Sequence, residues 1–505
     1  VKEGAGFLSP ARTRRAAVPL SVSTLQRKQR GTPSTLRDLR ANLCDLIAGC
    51  VGEISQHLPA DRRVNVGIEQ PCHHVHAKRV RRTPDIDISC HRIRNRAPVG
   101  ENIDMDWQSS EDTMPSAPVT EADARLLLGR PPATGAWRDG DPVGDRQFAM
   151  LGPLRTEVGT ELPHFRIAYE SWGELNEARD NAVLLLHALT GDSHVRGDAG
   201  PGHQTSGWWS DIVGPGLALD TDRWFVIAPN MLGGCQGSTG PASIGPGAVE
   251  WGSSWPFLTI RDQVSAQVAL ADSLGIDVWA AVVGGSMGGM HALEWAVGHP
   301  ERVTRAAIIS APPTNTADQI ALNSVQIEAI LIDPRFQGGE YYDSGDGNGP
   351  HRGLALARRM ALLNYRSPAE LNDRFRRSWQ SGISPLGHGG RFAVESYLDF
   401  HGNRFTRRFD ANSYICLVNA MNSHDIGRDR GGIDDALARV TARTLVLGID
   451  SDRLFPVDGQ HQIARGIANT LDGDRAAVIS SDFGHDGFLI EIPAVAEHLR
   501  RLLAE

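Results

Sequence analysis

The sequence predicts an α/β fold organised around a mostly parallel sheet. Short, uninterrupted apolar runs recur along the chain: AVLLLHAL (182–189), WFVIAPNM (224–231), VWAAVVGGS (278–286), RAAIISA (305–311), RTLVLGI (443–449) and AAVISS (476–481). A strand buried on both faces reads as just such a run. Helical stripes separate several of them. Alternation of strand and helix is the pattern of a sheet covered by helices.

The elements follow in order from about residue 146. FRIAYESWG (165–173) alternates and is rich in aromatic residues, as a strand should be. Residues 261–275 place Val264, Val268, Leu270, Ala271 and Leu274 on one helical stripe, closed by Gly275. Residues 287–300 form a second helical stretch, stopped by Pro300. Between Ile309 and Thr444 the strand rhythm stops. Helical pieces at 319–331, 353–363 and 368–379 take over, with a Gly- and Asp-rich break, GGEYYDSGDGNG, at 338–349. The expected domains are therefore a sheet core of residues 146–314 and 439–505, and a helical lid of residues 315–438 inserted into it. A lid excludes water from a site and completes its binding surface.

Composition divides the chain of 505 residues differently. Residues 1–104 carry 18 Lys and Arg against 10 Asp and Glu, and the remainder carries 33 against 50. All eight Met and all eleven Trp stand at or beyond Met105, whereas the three lysines (Lys2, Lys28, Lys78) stand before it. The first 104 residues read as a basic, poorly ordered extension. Alternatively, translation starts at Met105 or Met114. Residues 105–145, rich in Asp, Pro, Gly and Ala, read as a linker and N-terminal segment.

Several function classes drop out. A body without lysine has no P-loop, Schiff-base or kinase-type lysine. Its acidic balance argues against nucleic acid as a partner. No apolar run reaches the ~20 residues of a membrane span. Residues 16–25 follow three arginines, but Pro19 and several Ser and Thr interrupt them, so no signal peptide is expected. Six cysteines make no disulfide framework, and a reducing cytoplasm is the default localisation. Cys44, Cys50, Cys72 and Cys90 stand near His73, His74, His76 and His91, but at no zinc-ligand spacing, so no metal is expected.

The chemistry centres on Gly284-Gly285-Ser286-Met287-Gly288. This G-x-S-x-G follows an apolar strand and precedes a helix, the context of a nucleophile elbow in the α/β-hydrolase fold. The turn is too tight for side chains two residues either side of the serine, hence the glycines at 284 and 288. Ser286 stands at a helix N-terminus, where free N–H groups favour developing negative charge. A serine needs a base, and the base an orienting acid. In this fold they follow in the order acid, then histidine. Asp450 and Asp452 compete for the acid, just past RTLVLGI. His485, in a loop beside Gly484 after AAVISS, is the best base. The oxyanion hole needs two backbone N–H groups. Those of Met287, after the nucleophile, and Leu189, in the loop HALTGD (187–192), are the candidates.

HALTGDSH (187–194), NMLGGCQGSTGP (230–241), TIRDQV (259–264), GGSMGGMHALEWA (284–296), SDRLFP (451–456) and FGHDGFLIE (483–491) together resemble homoserine O-acetyltransferases. The resemblance covers about residues 146–505 and implies an acyltransferase of methionine biosynthesis. Acetyl would pass from acetyl-CoA to the serine, then to the hydroxyl of L-homoserine. It implies Ser286 as nucleophile, Asp452 rather than Asp450 as the acid, and His485 as base. It also implies a lid arginine for the substrate carboxylate, Arg358 ahead of Arg359 and Arg366. Asp486 would hold the ammonium group. One guanidinium and one carboxylate suit a zwitterion. Acetyl-CoA is then a co-substrate, no cofactor or metal is bound, and a homodimer is expected. Rival readings are a homoserine O-succinyltransferase or serine O-acetyltransferase on the same fold, a serine esterase, and a catalytically dead binding module.

Overall fold

The computed structural model describes residues 127–504 and the backbone of two short strands, Asn65–Ile68 and Val75–Lys78. The chain divides into two units at Trp107/Gln108. In the first, the two strands pair antiparallel, Asn65 opposite Lys78. The N-terminal cysteines, Met105 and Met114 lie outside the described residues, as do the side chains of the N-terminal histidines.

The second unit is built on an eight-stranded sheet. Its strands are β1 (Gln147–Leu151), β2 (Phe165–Trp172), β3 (Ala182–Leu186), β4 (Phe225–Pro229), β5 (Ala281–Gly285), β6 (Arg305–Ile309), β7 (Arg443–Ile449) and β8 (Ala477–Ile479). The spatial order is β8-β7-β6-β5-β3-β4-β2-β1. From β8 to β4 every neighbouring pair is parallel. The β2 strand runs antiparallel to β4, and β1 antiparallel to β2.

The apolar runs are buried on both faces except AAVISS, which forms the edge strand β8 and leaves Val478 43% exposed. The period-two alternation of the others sorts each residue to one of two cores. Leu184, Leu186, Val282, Ile308 and Val446 join one core with helices α1 (Ile260–Ser273) and α2 (Met287–Gly298). Val183, Leu185, Val283, Ile309 and Leu447 join the other, against helix α9 (Ile492–Leu503). A fully buried Val or Leu contributes roughly 1.5–3 kcal/mol, so the runs hold the sheet together. The α1 helix starts at a reciprocal cap. Thr259 accepts from the Asp262 N–H, and Asp262 accepts from the Thr259 N–H at 2.9 Å. It ends where Gly275 takes φ +66°.

Between β6 and β7 the chain makes helices α3 (Ala317–Leu331), α4 (His351–Tyr365), α5 (Pro368–Phe375), α6 (Ala393–Phe405) and α7 (Ala411–Asn422). Helix α8 (Val457–Gly466) follows β7. The α5 helix ends at Phe375, four residues short of the expected 379, because the next residue, Arg376, takes φ +47°. The Gly- and Asp-rich break has an anchored interior. Tyr341 and Tyr342 are buried and donate to the carboxylate of Asp410 (2.7 and 3.2 Å), which also caps α7 through Ser413 N–H. Residues 133–136 are buried as well. Thr134 donates to Asp410 (2.8 Å), and Gly135 N–H donates to Phe409 O (3.2 Å). Within the described part of the expected linker, residues 133–136 are thus packed, whereas 139–145 are exposed.

Candidate active site

Ser286 sits between β5 and α2 with φ +59° and ψ −124°. A non-glycine residue there is strained. The strain is held by the Ser286 N–H, which donates to Ile309 O of β6 at 2.9 Å. A Cβ on Gly284 would stand 2.0 Å from Gly288 O, and one on Gly288 2.1 Å from Leu186 O. Only glycine lets the helix start close against the loop after β3. Gly288→Ala is therefore expected to cost about 3 kcal/mol of stability, measured by urea unfolding, because both clashing atoms are backbone.

His485 lies in a short turn before α9, 3% exposed. Its Nε2 is 2.8 Å from Ser286 Oγ and its Nδ1 2.6 Å from Asp452 Oδ2. Asp452 Oδ1 accepts from the N–H groups of Leu454 and Phe455, both at 2.9 Å. Asp450 is exposed and accepts instead from Ser481 N–H at 3.0 Å. Of the two carboxylates, Asp452 is the one hydrogen-bonded to the His485 ring. Ser451 between them ties the two loops together, accepting from Gly484 N–H at 3.0 Å. Burial lowers the pKa of His485, but the Asp452 carboxylate, its hydrogen bond and Asp486 raise it further, and the net shift is upward. Other buried histidines go the opposite way: burial takes His291 to about 3 and His424 to about 4.

The N–H of Met287 opens helix α2, where no intrahelical acceptor exists. Leu189 lies buried in the loop after β3 that Gly288 packs against. Both expected oxyanion donors therefore stand on the two backbone segments that meet at the serine.

Arg358 projects from α4. Its Nη1 is 3.3 Å from Thr190 Oγ1, and its guanidinium covers the rings of Tyr365 and Phe405 at 5.5 and 5.1 Å. Tyr365, two turns further along α4, lies 5.8 Å from the His485 ring. Arg359 is turned away and pairs with Asp399 at 2.9 Å. Arg366 Nε lies 3.1 Å from Asp486 Oδ2, at an angle too poor for a hydrogen bond. Asp486 thus already has a cation beside it. An open cleft of about 320 Å³ is lined by Ala188, Thr190, Asp192, Trp208, Arg358 and Arg408 among others. His401 shares it, pushed down to about 3 by burial and the surrounding arginines.

Sequence reasoning passed over two groups here. Arg408 donates to Thr190 O (3.0 Å) and to Asp192 Oδ2 (3.1 Å), clasping the loop after β3. Glu170, His194, His203 and Asp145 bring ligand atoms within 4.8 Å of one another. His203 Nδ1 has no hydrogen-bond partner and lies 3.9 Å from Glu170 Oε1. His194 is engaged at both nitrogens, by Glu170 Oε2 (3.0 Å) and Asp198 O (3.3 Å). His203 Nε2 accepts the Asp145 N–H at 3.0 Å, which leaves its proton on Nδ1.

Parallel sheet, serine elbow and a buried Ser–His–Asp array define a protein of the α/β-hydrolase class. The α/β hydrolase fold family matches residues 181–491. Homoserine O-acetyltransferase of Leifsonia xyli subsp. xyli is 69% identical over 401 residues, covering 79% of this chain and 100% of the relative. That of Clavibacter michiganensis subsp. michiganensis is 68% identical over 76% of this chain and 99% of its own length. The chain belongs to the homoserine O-acetyltransferase family. Among solved structures, homoserine O-acetyltransferase from Bacillus anthracis is 28% identical, with a TM-score of 0.65 over 71% of this chain and 97% of that one. Esterase E22 is 26% identical, with a TM-score of 0.63 over 71% of this chain and 99% of that one.

Proposed function

We propose that this chain transfers an acetyl group from acetyl-CoA to the hydroxyl of L-homoserine through an acetyl ester on Ser286. The observation that carries the reading is 69% identity over the full length of a homoserine O-acetyltransferase. The 2.8 and 2.6 Å contacts of His485 supply the chemistry. Methionine biosynthesis consumes the product.

The steps follow from the array. His485 takes the Ser286 proton at Nε2 while Asp452 holds Nδ1–H, and Ser286 Oγ attacks the thioester carbonyl. The N–H groups of Leu189 and Met287 hold the oxyanion. Collapse breaks the C–S bond, and CoA leaves with the proton from His485. L-homoserine enters, His485 removes its hydroxyl proton, and the alkoxide attacks the acetyl ester. The second collapse frees O-acetyl-L-homoserine and returns the proton to Ser286. No bound cofactor or metal enters any step. The helices of residues 315–438 act as the lid that keeps water from the acetyl ester.

Arg358 binds the homoserine carboxylate and Asp486 the ammonium, with Tyr365 between them beside His485. Arg358→Lys keeps the charge but loses the planar fork. The expected result is a KM for homoserine raised about tenfold, with the KM for acetyl-CoA little changed, in steady-state kinetics.

A serine esterase is the second reading, favoured by the likeness to esterase E22. CoA release from acetyl-CoA is followed with and without homoserine. Release unaffected by homoserine sinks the transferase reading, and succinyl-CoA and L-serine controls test the donor and acceptor. Exposed Ile320, Val325 and Leu331 of α3 and Leu356 and Leu363 of α4 support a homodimer through the inserted helices. Acetyl-CoA as donor supports a cytoplasmic enzyme.

A further inference from the structure

A buried histidine outside the Ser–His–Asp array stands next to the peptide that carries the Leu189 N–H. His187 directly follows β3 and is 3% exposed. Its Nε2 accepts the N–H of Met231 at 3.1 Å. An acceptor nitrogen carries a lone pair, so the ring proton of the neutral imidazole is on Nδ1. Burial, the largest influence on this ring, lowers its pKa and keeps it neutral. The Nδ1–H donates to Ala188 O at 2.7 Å. Gly191 N–H donates to the same oxygen at 2.9 Å.

Both lone pairs of the Ala188 carbonyl are thus used. That carbonyl and the Leu189 N–H belong to one planar trans peptide and point in opposite directions. Two donors on the oxygen therefore aim the N–H on its far side. They also polarise the amide, which makes that N–H a stronger donor. Gly191 allows the close fit, since a Cβ there would lie 2.9 Å from His187 Cβ.

We propose that His187 is a positioning residue, which orients and polarises the Leu189 N–H for the oxyanion through the Ala188 carbonyl. The proposal rests on the reading of Ser286 as nucleophile and Leu189 as oxyanion donor. It makes the tautomer of a buried, non-reacting histidine part of transition-state stabilisation.

Two substitutions separate the two ring nitrogens. His187→Gln can keep an acceptor for Met231 N–H but loses the donor to Ala188 O. His187→Asn places an amide N–H near the Nδ1 position and loses the acceptor. The readout is the rate at which a p-nitrophenyl alkylphosphonate phosphonylates Ser286, seen as released p-nitrophenol. That reaction uses the oxyanion hole without acetyl-CoA or homoserine. Deleting one oxyanion donor outright costs about 10²–10³-fold, so losing its orientation is expected to cost ~10–100-fold in His187→Gln. His187→Asn is expected to stay within about fivefold of the unsubstituted protein, and CoA affinity to stay unchanged in both, because a ground-state ligand does not use the hole.

Equal phosphonylation rates in the unsubstituted protein and His187→Gln overturn the positioning role while leaving the nucleophile reading intact. Loss of CoA affinity in step with the rate overturns it in favour of general loop damage. An unsubstituted protein that is not phosphonylated at Ser286 overturns both readings. If His187→Gln does not fold, the Asn variant decides. A rate as low as 10–100-fold down, despite its retained donor, contradicts the proposal.

Discussion

Ser286→Ala is expected to abolish the acetyl-enzyme and acetyl transfer together. Removing the nucleophile of a serine triad costs about 10⁴–10⁶-fold in turnover, and what survives comes from the oxyanion hole and substrate binding. The fold should tolerate the change. The Ser286 side chain makes no cap bond to α2, and the strained backbone is held by its N–H on Ile309 O, which alanine keeps. Thermal unfolding should therefore stay close to that of the unsubstituted protein. Intact-protein mass after brief exposure to acetyl-CoA alone is the direct measurement. The unsubstituted chain should gain one acetyl group and the variant none. An acetyl group still gained by the alanine variant places the nucleophile elsewhere and removes Ser286 as the carrier of the acetyl group.

The core of this protein was legible because its code is local. A run such as AVLLL or RTLVLGI declares a buried strand without reference to anything distant, and G-x-S-x-G between strand and helix declares the elbow. What was not legible depends on contacts across the chain. Strand position alone does not separate Asp450 from Asp452, and only the family resemblance pointed to Asp452. In the structure Asp452 is the carboxylate that meets the N–H groups of Leu454 and Phe455 and the His485 ring. Arg408 acts on a loop 216 positions away, and no spacing rule reaches that far. Residues 133–136 read as a connector because they are small. Their smallness is what lets them pack, since a Cβ on Gly135 would stand 2.5 Å from the backbone of Arg408. Helix α6 escaped notice because Gly402 weakens its helical signal and few of its residues are buried.

Asp452, the proposed orienting acid, is open to an equally sharp prediction. Asp452 Oδ1 faces two backbone donors, the N–H groups of Leu454 and Phe455. In Asp452→Asn the side-chain oxygen must stay there, because an NH₂ against two N–H donors would leave all three unsatisfied. The amide NH₂ then faces His485 Nδ1 and turns it into an acceptor. The ring proton moves to Nε2, where it can no longer receive the proton of Ser286. The expected loss in kcat is about 10⁴-fold, with the fold retained. The pH profile should change in a defined direction. In the unsubstituted protein burial lowers the His485 pKa, but Asp452 and Asp486 raise it above the ordinary 6.5. The base is neutral only above its pKa, so kcat/KM should fall on the acid side with a midpoint above 6.5. Without the Asp452 charge, burial dominates, and the midpoint of the residual activity should move downward. Asp450→Asn is the control: its carboxylate is exposed and lies on another loop donor, so rate and profile should stay near those of the unsubstituted protein. If Asp450→Asn produced the rate loss and Asp452→Asn did not, the hydrogen-bonded array at His485 would not be the one that carries the reaction.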